Sequence, residues 1–144
     1  MLNFEFYNPT RIIFGTDTIQ RIHDFVPSDA RVLMLYGGES ARKNGTLDEV
    51  RTALGQREIQ EFGGIEPNPD YATLMQAVAI VKEERINYLL AVGGGSVIDG
   101  TKFISALLKN VKLLFKSTVL CTSSNTNVPL NKYCICSRNS LMVQ

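Results

Sequence analysis

Histidine is almost missing from this chain, whose 144 residues include a single one, His23. Histidine-based metal and acid/base sites need an imidazole at a defined place, and most metal sites of that kind need several. His23 lies between Ile22 and Asp24 on a predicted amphipathic helix, far along the chain from any glycine cluster. We interpret it as a surface residue, so a histidine-based metal or acid/base site is excluded.

Long apolar runs are also absent. No stretch approaches the roughly 20 residues that a membrane-spanning helix needs. Residues 1–5 lack the basic-then-apolar order of a secretory signal. We therefore expect a cytoplasmic protein without a membrane partner.

Cysteine is scarce, and its spacing fits neither a disulfide framework nor a zinc ribbon. The three cysteines lie in the last quarter of the chain. An odd number in this arrangement is typical of free thiols. We assign that state to Cys121, Cys134 and Cys136.

Acidic residues are absent from residues 100–144, which carry six bases. Residues 1–99 hold all 14 acids and nine bases, so the overall charge of +1 hides segments of −5 and +6. The small total charge gives no basis for a nucleic-acid partner. The break predicts two segments of different origin, residues 1–106 and residues 107–144.

The composition, 44% hydrophobic and 20% charged, describes one globular domain. Continuous apolar runs that end in glycine alternate with segments of helical spacing, which predicts an α/β fold with parallel neighbouring strands. The predicted strands are two short ones around Asn8-Pro9, then "ARVLMLYGG", "EIQEFGG" and "INYLLAV". The predicted helices cover residues 16–26, 40–55, 70–85 and 96–108. After Ala106 the pattern offers one strand, Ser117–Cys121.

Two glycine clusters, Gly37-Gly38 and Gly93-Gly94-Gly95, follow predicted parallel strands. Ligands of open parallel sheets bind outside the carboxyl ends of the strands, and the amides of a following helix favour phosphate. The second cluster is neither a GxGxxG fingerprint, since Ile98 replaces the third glycine, nor a Walker A loop, since Thr101-Lys102 reverses the required order. The pattern is therefore compatible with phosphate or dinucleotide binding and with a tight structural turn.

Four motifs in order, "PTRIIFG", "LYGGES", "FGGIEPNPDYATL" and "LLAVGGGSVIDGTKF", resemble the iron-containing alcohol dehydrogenase family over residues 2 to about 106. Within it, the chain is most similar to NADP-linked aldehyde reductases and butanol dehydrogenases. The resemblance implies a Rossmann-like, parallel-sheet dinucleotide-binding domain of the dehydroquinate synthase type. The family's larger helical, metal-binding domain is not expected in this chain, and the α/β domain is expected to be incomplete.

The resemblance also implies a set of cofactor contacts. Gly94, Gly95 and Ser96 would cradle the pyrophosphate, and Lys102 lies near them in the family pattern. The residues facing the adenosine ribose would be Gly37, Gly38 and Ser40. Asn68 and Asp99 would lie along the cofactor cleft.

NADP is the favoured cofactor over NAD, because glycine at positions where NAD-specific relatives carry an acid leaves room for a 2′-phosphate. Arg42 and Lys43 are candidate charge partners for that phosphate. Glu39 replaces a glycine of the NADP branch, and its carboxylate would oppose the phosphate.

Family chemistry is hydride transfer between the nicotinamide and a primary alcohol or aldehyde, with iron or zinc polarising the substrate oxygen. The metal is held by an aspartate and three histidines of the helical domain. We therefore expect no catalytic or metal-binding residue here, and no turnover of a small alcohol or aldehyde by the isolated chain. A homodimer is compatible with the resemblance.

The acid-free tail looks like out-of-frame sequence joined to a truncated dehydrogenase; alternatively, residues 107–144 are a genuine short ending that packs on the sheet. A sheet that stopped at residue 106 would leave an unpaired edge unless the Ser117–Cys121 strand covered it. Two other functions also remain open. One is a non-catalytic nucleotide-binding or interaction module, and the other is a zinc-using fragment like glycerol dehydrogenase or dehydroquinate synthase.

Overall fold

The computed structural model describes residues 11–108, 112–117 and 140–143. Within these residues, strands form one sheet with helices on both faces. The strands are β1 (Arg11–Phe14), β2 (Arg31–Tyr36), β3 (Glu58–Phe62), β4 (Tyr88–Gly93), β5 (Lys112–Ser117) and β6 (Ser140–Val143). The helices are a 3-10 helix (Thr18–Arg21), α1 (Ile22–Phe25), α2 (Ser40–Lys43), α3 (Thr46–Leu54), α4 (Tyr71–Glu83) and α5 (Gly95–Ala106).

The strand order is β1-β6-β5-β4-β2-β3. Strands β3, β2, β4 and β5 are mutually parallel, whereas β6 runs antiparallel between β5 and β1. Every residue of β4 is buried, as is β2 after its first residue. Such continuous burial is expected of parallel strands covered by helices on both faces. The predicted α/β class and its parallel core are confirmed.

Successive side chains of β2 and β4 point to opposite faces and so serve two separate cores. On one face, the 3-10 helix, α1 and α3 pack on alternate residues such as Met34 and Leu90. On the other face, α4 and α5 pack on the intervening residues such as Leu33 and Leu89. The helical side chains of the first core include Ile22, Leu47, Val50 and Leu54; those of the second include Leu74, Val78, Val81 and Ile104.

Strand order reverses at β2. The chain leaves β2 to form β3 on one side and then returns to form β4 on the other. The crossovers therefore place α3 and α4 on opposite faces of the sheet, as the two cores show. Between them, a crevice opens outside the carboxyl ends of β2 and β4, which is where open α/β sheets bind ligands.

The helix predicted from Ser40 to Gly55 was wrong in one respect, because it is two helices. Gly45 adopts a left-handed conformation with φ of 76° and separates α2 from α3. The side chain of Asn44 accepts a hydrogen bond from the Thr46 amide at 3.1 Å. Asn-Gly favours a turn over a continuing helix, and this local preference overrides the apolar spacing.

The strand that follows α5 was not predicted. It covers Lys112–Ser117 and pairs with all six residues of β4, from Tyr88 opposite Lys112 to Gly93 opposite Ser117. The predicted strand Ser117–Cys121 lies, beyond its first residue, outside the described residues. β5 thus pairs the edge of β4 that the incomplete sheet was expected to expose.

The strand predicted before Asn8-Pro9 and the three cysteines lie outside the described residues. In the part of the chain that the structure describes, no helix combines the length and apolar character needed to cross a membrane.

Arg57 joins the carboxyl ends of α1 and α3. Its Nε donates to the carbonyls of Val26 and Pro27 at 3.0 and 2.9 Å. Its Nη1 donates to Leu54 at 2.6 Å, and its Nη2 to His23 and Val26 at 3.1 and 2.6 Å. The last carbonyls of a helix lack intrahelical partners. A cation at this end also interacts favourably with the negative end of the helix dipole.

Replacing Arg57 by alanine should lower the free energy of unfolding by about 2–3 kcal/mol, because part-buried carbonyls lose a charged donor. Urea denaturation measures this change. The matched control is Arg21→Ala, which removes an exposed ion pair with Asp24 and a contact of the guanidinium with the Phe25 ring, and it should cost about 1 kcal/mol or less. Equal losses in the two variants would contradict the role given to Arg57.

Candidate functional site

A cleft of about 230 Å³ lies at the carboxyl ends of β2 and β4. It lies in the crevice where the strand order reverses, which is the position at which the topology of the sheet predicts a ligand site. Its lining residues come from the two glycine clusters, the start of α2 and the loop after β3. They are Gly37, Gly38, Ala41, Ile65, Pro67, Val92, Gly93, Gly94, Gly95, Ser96 and Val97.

Strand register brings the two glycine clusters together. Tyr36 pairs with Val92 in the parallel ladder between β2 and β4. Gly37 and Gly93 follow these paired residues directly, so the two turns leave the sheet at the same level. Two clusters that are far apart in the sequence therefore face one another across one cleft.

The amino end of α5 points its first amides at this cleft. Gly94 is the extended residue before the helix, with φ of −85° and ψ of −168°. The amide of Ile98 donates to the Gly94 carbonyl at 3.1 Å, so the amides of Gly95, Ser96 and Val97 precede the first α-helical bond. These amides and the positive end of a 12-residue helix dipole favour an anion.

The glycines of the cleft divide into two kinds. A Cβ on Gly93 would lie 2.7 Å from Cγ2 of Val97, and one on Gly37 would lie 3.2 Å from the carbonyl oxygen of Ile65. Apart from its chain neighbours and its own helix backbone, a Cβ on Gly38 or Gly95 would meet no protein atom within 4 Å. Packing alone explains Gly37 and Gly93, whereas Gly38 and Gly95 leave open space on the cleft. The structural and ligand interpretations therefore apply to different glycines.

The third wall of the cleft is the loop of residues 63–70, from which the motifs gave Asn68 as a site residue but not the lining residues Ile65 and Pro67. The Gly64 amide donates to the Gly37 carbonyl at 2.9 Å, and the Ile65 amide donates to Tyr36 at 3.2 Å. These bonds bring Ile65 and Pro67 to the glycine turns. The available signal was the neighbouring position of β3 and β2, because a loop that leaves β3 emerges at the same edge of the sheet.

Other residues predicted for the site lie beside the lining. Asn68 is exposed in a left-handed conformation with φ of 53°, which asparagine tolerates better than most residues. The Asp99 side chain is 70% exposed, and its Oδ1 lies 3.6 Å from Nζ of Lys102. Neither Asn68 nor Asp99 is among the described residues that line the cleft. Ser40 begins α2 shortly after the Gly37-Gly38 turn.

A chain of polar contacts extends from the Gly37 turn to the edge of the sheet. The Arg42 guanidinium donates to the Tyr36 hydroxyl at 2.7 Å, a bond that raises the pKa of Arg42. That hydroxyl lies 3.5 Å from the Glu61 carboxylate, to which it donates. Arg51 donates to the same carboxylate at 2.7 Å and lowers the pKa of Glu61. Arg42, an exposed residue, is therefore held beside the turn by Tyr36.

The two charges that flank Arg42 pair with one another. Nζ of Lys43 lies 3.5 Å from the carboxylate of Glu39, and both side chains are more than two-thirds exposed. Such a pair is weak in water, yet it reduces the negative charge that Glu39 presents.

A larger hollow of about 900 Å³ lies between the 3-10 helix and α3. The acids Asp17, Asp48 and Glu49 line it. It lacks glycine among its described lining residues, and its negative charge repels phosphate. The smaller cleft is therefore the better candidate for an anionic ligand.

Metal-binding side chains do not gather in the described part of the chain, where no three His, Cys, Asp or Glu residues could hold an ion together. The sequence contains one histidine in total, His23. These residues do not fit a centre built from an aspartate and three histidines.

An α/β sheet with a glycine-lined cleft at its strand reversal describes a broad class of nucleotide-binding folds. Residues 9–137 match the iron-containing alcohol dehydrogenase family. This chain belongs to that family, which confirms the resemblance found in its motifs.

Individual relatives agree on the branch. The chain is 57% identical over 106 residues to "NADPH-dependent aldehyde reductase YqhD" of Escherichia coli (strain K12), covering 74% of this chain and 27% of that protein. It is 45% identical to "Probable NADH-dependent butanol dehydrogenase 1" of Bacillus subtilis (strain 168), covering 74% of this chain and 28% of that protein. The chain thus spans about a quarter of the length of these relatives.

Solved structures show the same fold. The substrate- and cofactor-free form of the E. coli aldehyde reductase superposes with a TM-score of 0.70 at 56% identity, over 72% of this chain and 27% of that one. The "NADH-dependent butanol dehydrogenase A" of Thermotoga maritima gives 0.67 at 40% identity, over 72% and 27%.

Substitution of Gly93 or Gly95 by alanine should distinguish the glycine that packing requires from the glycine that borders open space. Gly93→Ala should lower the free energy of unfolding by about 1–3 kcal/mol, because its Cβ overlaps Val97. Gly95→Ala meets no protein atom and replaces glycine by a better helix former, so stability should stay equal or rise by up to about 1 kcal/mol. Thermal denaturation of both variants is the measurement. A comparable loss in Gly95→Ala would contradict the division of the glycines.

Proposed function

We propose that this chain binds NADP in the cleft between its glycine turns and is the cofactor-binding part of an NAD(P)-dependent alcohol dehydrogenase or aldehyde reductase. One observation carries the proposal. Two glycine turns on adjacent parallel strands face one cleft, and Gly38 and Gly95 leave space there that a Cβ would fill. A dinucleotide needs such a close approach to the backbone at its phosphates.

The pyrophosphate is assigned to the amino end of α5. Gly94, Gly95 and Ser96 offer backbone amides and a hydroxyl, and the helix dipole adds a favourable field. The side chain of Asp99 lies farther along the helix and is solvent-exposed, so it does not place a charge in the lining. It remains a candidate for contact with an uncharged part of the cofactor.

The adenosine ribose is assigned to the opposite wall. Gly37, Gly38 and Ser40 follow β2 at the same level of the sheet as the turn Gly93–Gly95. The loop of residues 63–70, which contains Asn68, forms the third wall of the cleft. No described lining residue of the cleft is charged. Charged side chains that distinguish a 2′-phosphate from a 2′-hydroxyl on the ribose must therefore come from the rim of the cleft.

The cofactor and reaction classes are supported by the names of the relatives. One is an NADPH-dependent aldehyde reductase and another a probable NADH-dependent butanol dehydrogenase. When bound, a nicotinamide supplies or accepts a hydride, and in the complete protein we propose a primary alcohol or aldehyde as its partner. This chain contributes binding and orientation.

Turnover by the chain alone is not proposed. A metal that polarises the substrate oxygen needs ligands that the described residues do not assemble. The boundary near residue 106 and the out-of-frame origin of residues 107–144 stay predictions. Reading the genomic sequence downstream of codon 106 in all three frames tests them.

Titration with NADPH, followed by its fluorescence, tests the proposed site. Wild type should bind, and Gly95→Ala should weaken binding by at least about tenfold, because its methyl group occupies the phosphate approach while the fold stays intact. Ser96→Ala should weaken binding by a smaller factor, since it keeps the backbone amides. Ser105→Ala, the same change at the far end of α5, is the matched control and should bind as wild type does.

Absence of binding by wild type at millimolar NADPH would contradict the proposal and favour a non-catalytic structural role. Unchanged binding by Gly95→Ala would place the cofactor elsewhere.

The preference for NADP over NAD is assigned to Arg42. Arg42 is an exposed residue whose guanidinium is held by Tyr36, the residue before Gly37. Lys43 instead pairs with Glu39. Since a guanidinium binds phosphate with several directed donors, Arg42 is the better partner for a 2′-phosphate.

Arg42→Ala should weaken NADPH binding by about tenfold and leave NADH binding within about twofold, because only NADPH carries the extra phosphate. Glu39→Gly should do the reverse and strengthen NADPH binding, since it removes an opposing charge. Parallel titrations with the two cofactors measure the ratio, and Arg21→Ala serves as a remote charge control. Equal losses for both cofactors in Arg42→Ala would contradict the assignment.

A further inference from the structure

Glu66 lies in the loop that forms the third wall of the cleft, but its side chain turns away toward α4. Its Oε1 accepts hydrogen bonds from the Asp70 amide and the Thr73 hydroxyl, both at 3.0 Å. These bonds, the Asp70 amide first, lower the pKa of Glu66, which keeps the carboxylate ionised. Asp70 is the residue before α4, and its own side chain makes no capping bond. Glu66 thus caps α4 from four residues upstream.

The residues between Glu66 and Asp70 have few other means of holding their shape. Pro67 and Pro69 have no amide hydrogen to donate. Asn68 holds a left-handed conformation that costs free energy in most residues. A loop of this kind keeps one conformation only when its ends are fixed.

Both ends of the loop are fixed. At the near end, the Gly64 and Ile65 amides bond to the end of β2. At the far end, Glu66 ties the loop to the first turn of α4. Between these anchors, Pro67 lines the cleft.

The same loop supports α5. A Cβ on Gly100 would lie 3.4 Å from Cγ of Pro69 and 2.9 Å from Cδ2 of Leu74. Gly100 stands five residues after Gly95 on the same helix. A shift of the loop would therefore move Pro67 in the cleft lining and would also change the packing of α5, whose first amides face the cleft.

We infer that Glu66 is a positioning residue for cofactor binding. Its carboxylate holds Pro67–Pro69, in the loop that forms the third wall, against the glycine turns without touching the ligand. This inference rests on the proposed function. Its physical basis is a pair of charge-assisted hydrogen bonds that join the wall to α4.

The test compares NADPH affinity among variants that differ in one acceptor. Glu66→Ala should weaken binding by about tenfold, because the wall loses its fixed geometry. Glu66→Gln keeps an acceptor oxygen at the same distance and should recover most of that loss. Glu83→Ala removes an exposed acid at the other end of α4 and should bind as wild type does.

A second pair of variants protects the test against misfolding. Thr73→Val removes one of the two bonds with little change in shape, and Thr73→Ser keeps the hydroxyl. Weaker binding in the valine variant alone supports the inference. Wild-type affinity in Glu66→Ala, or an equal loss in Glu66→Gln and Glu66→Ala, overturns it.

Hydrogen exchange separates this inference from the proposed function. The Asp70 amide should exchange faster in Glu66→Ala than in wild type, whether or not NADPH is present. Failure of wild type to bind NADPH would refute the proposed function and, with it, the binding role of Glu66. Normal NADPH binding by wild type with unchanged exchange at Asp70 in Glu66→Ala would refute the positioning role alone.

Discussion

The parallel pairing of β2 with β4 is the interaction on which the cleft depends. Five residue pairs, from Val32 with Tyr88 to Tyr36 with Val92, set the level at which both strands end. A shift of one residue would turn buried side chains toward the wrong core, so burial on both faces fixes the register. The two glycine turns face one another because the cores on either side of the sheet permit no other alignment.

Topology then keeps the space above these turns open. The first crossover runs from β2 to β3, the second runs from β3 back past β2 to β4, and the two place α3 and α4 on opposite faces. Glycine has two roles at this position. Gly37 and Gly93 permit close packing with the loop and with Val97, whereas Gly38 and Gly95 leave open space beside the backbone. The same residue type thus supports both the fold and the proposed binding.

Much of this arrangement follows from the sequence, because buried parallel strands and amphipathic helices have distinct apolar patterns. The strands β2, β3 and β4 and the helices α4 and α5 were predicted, and four motifs identified the family. Local conformational preferences account for one error in the prediction. Apolar spacing predicted one helix from Ser40 to Gly55, but the turn at Asn44-Gly45 divides it into α2 and α3. β5 was not predicted, since its position depends on the level of its partner β4. Glu66 and Arg57 could not be assigned, because their partners are backbone groups brought close only by folding.

The central claim is that the cleft between the glycine turns receives a nicotinamide dinucleotide. Amide chemical shifts of the ¹⁵N-labelled chain, recorded during titration with NADP⁺, test it most directly. We predict that the largest changes occur at Gly38, Gly95 and Ser96, with smaller ones along residues 63–70. Changes centred on Thr18, Asp48 and Glu49 around the acidic hollow, or no localised change at saturating NADP⁺, would contradict the claim.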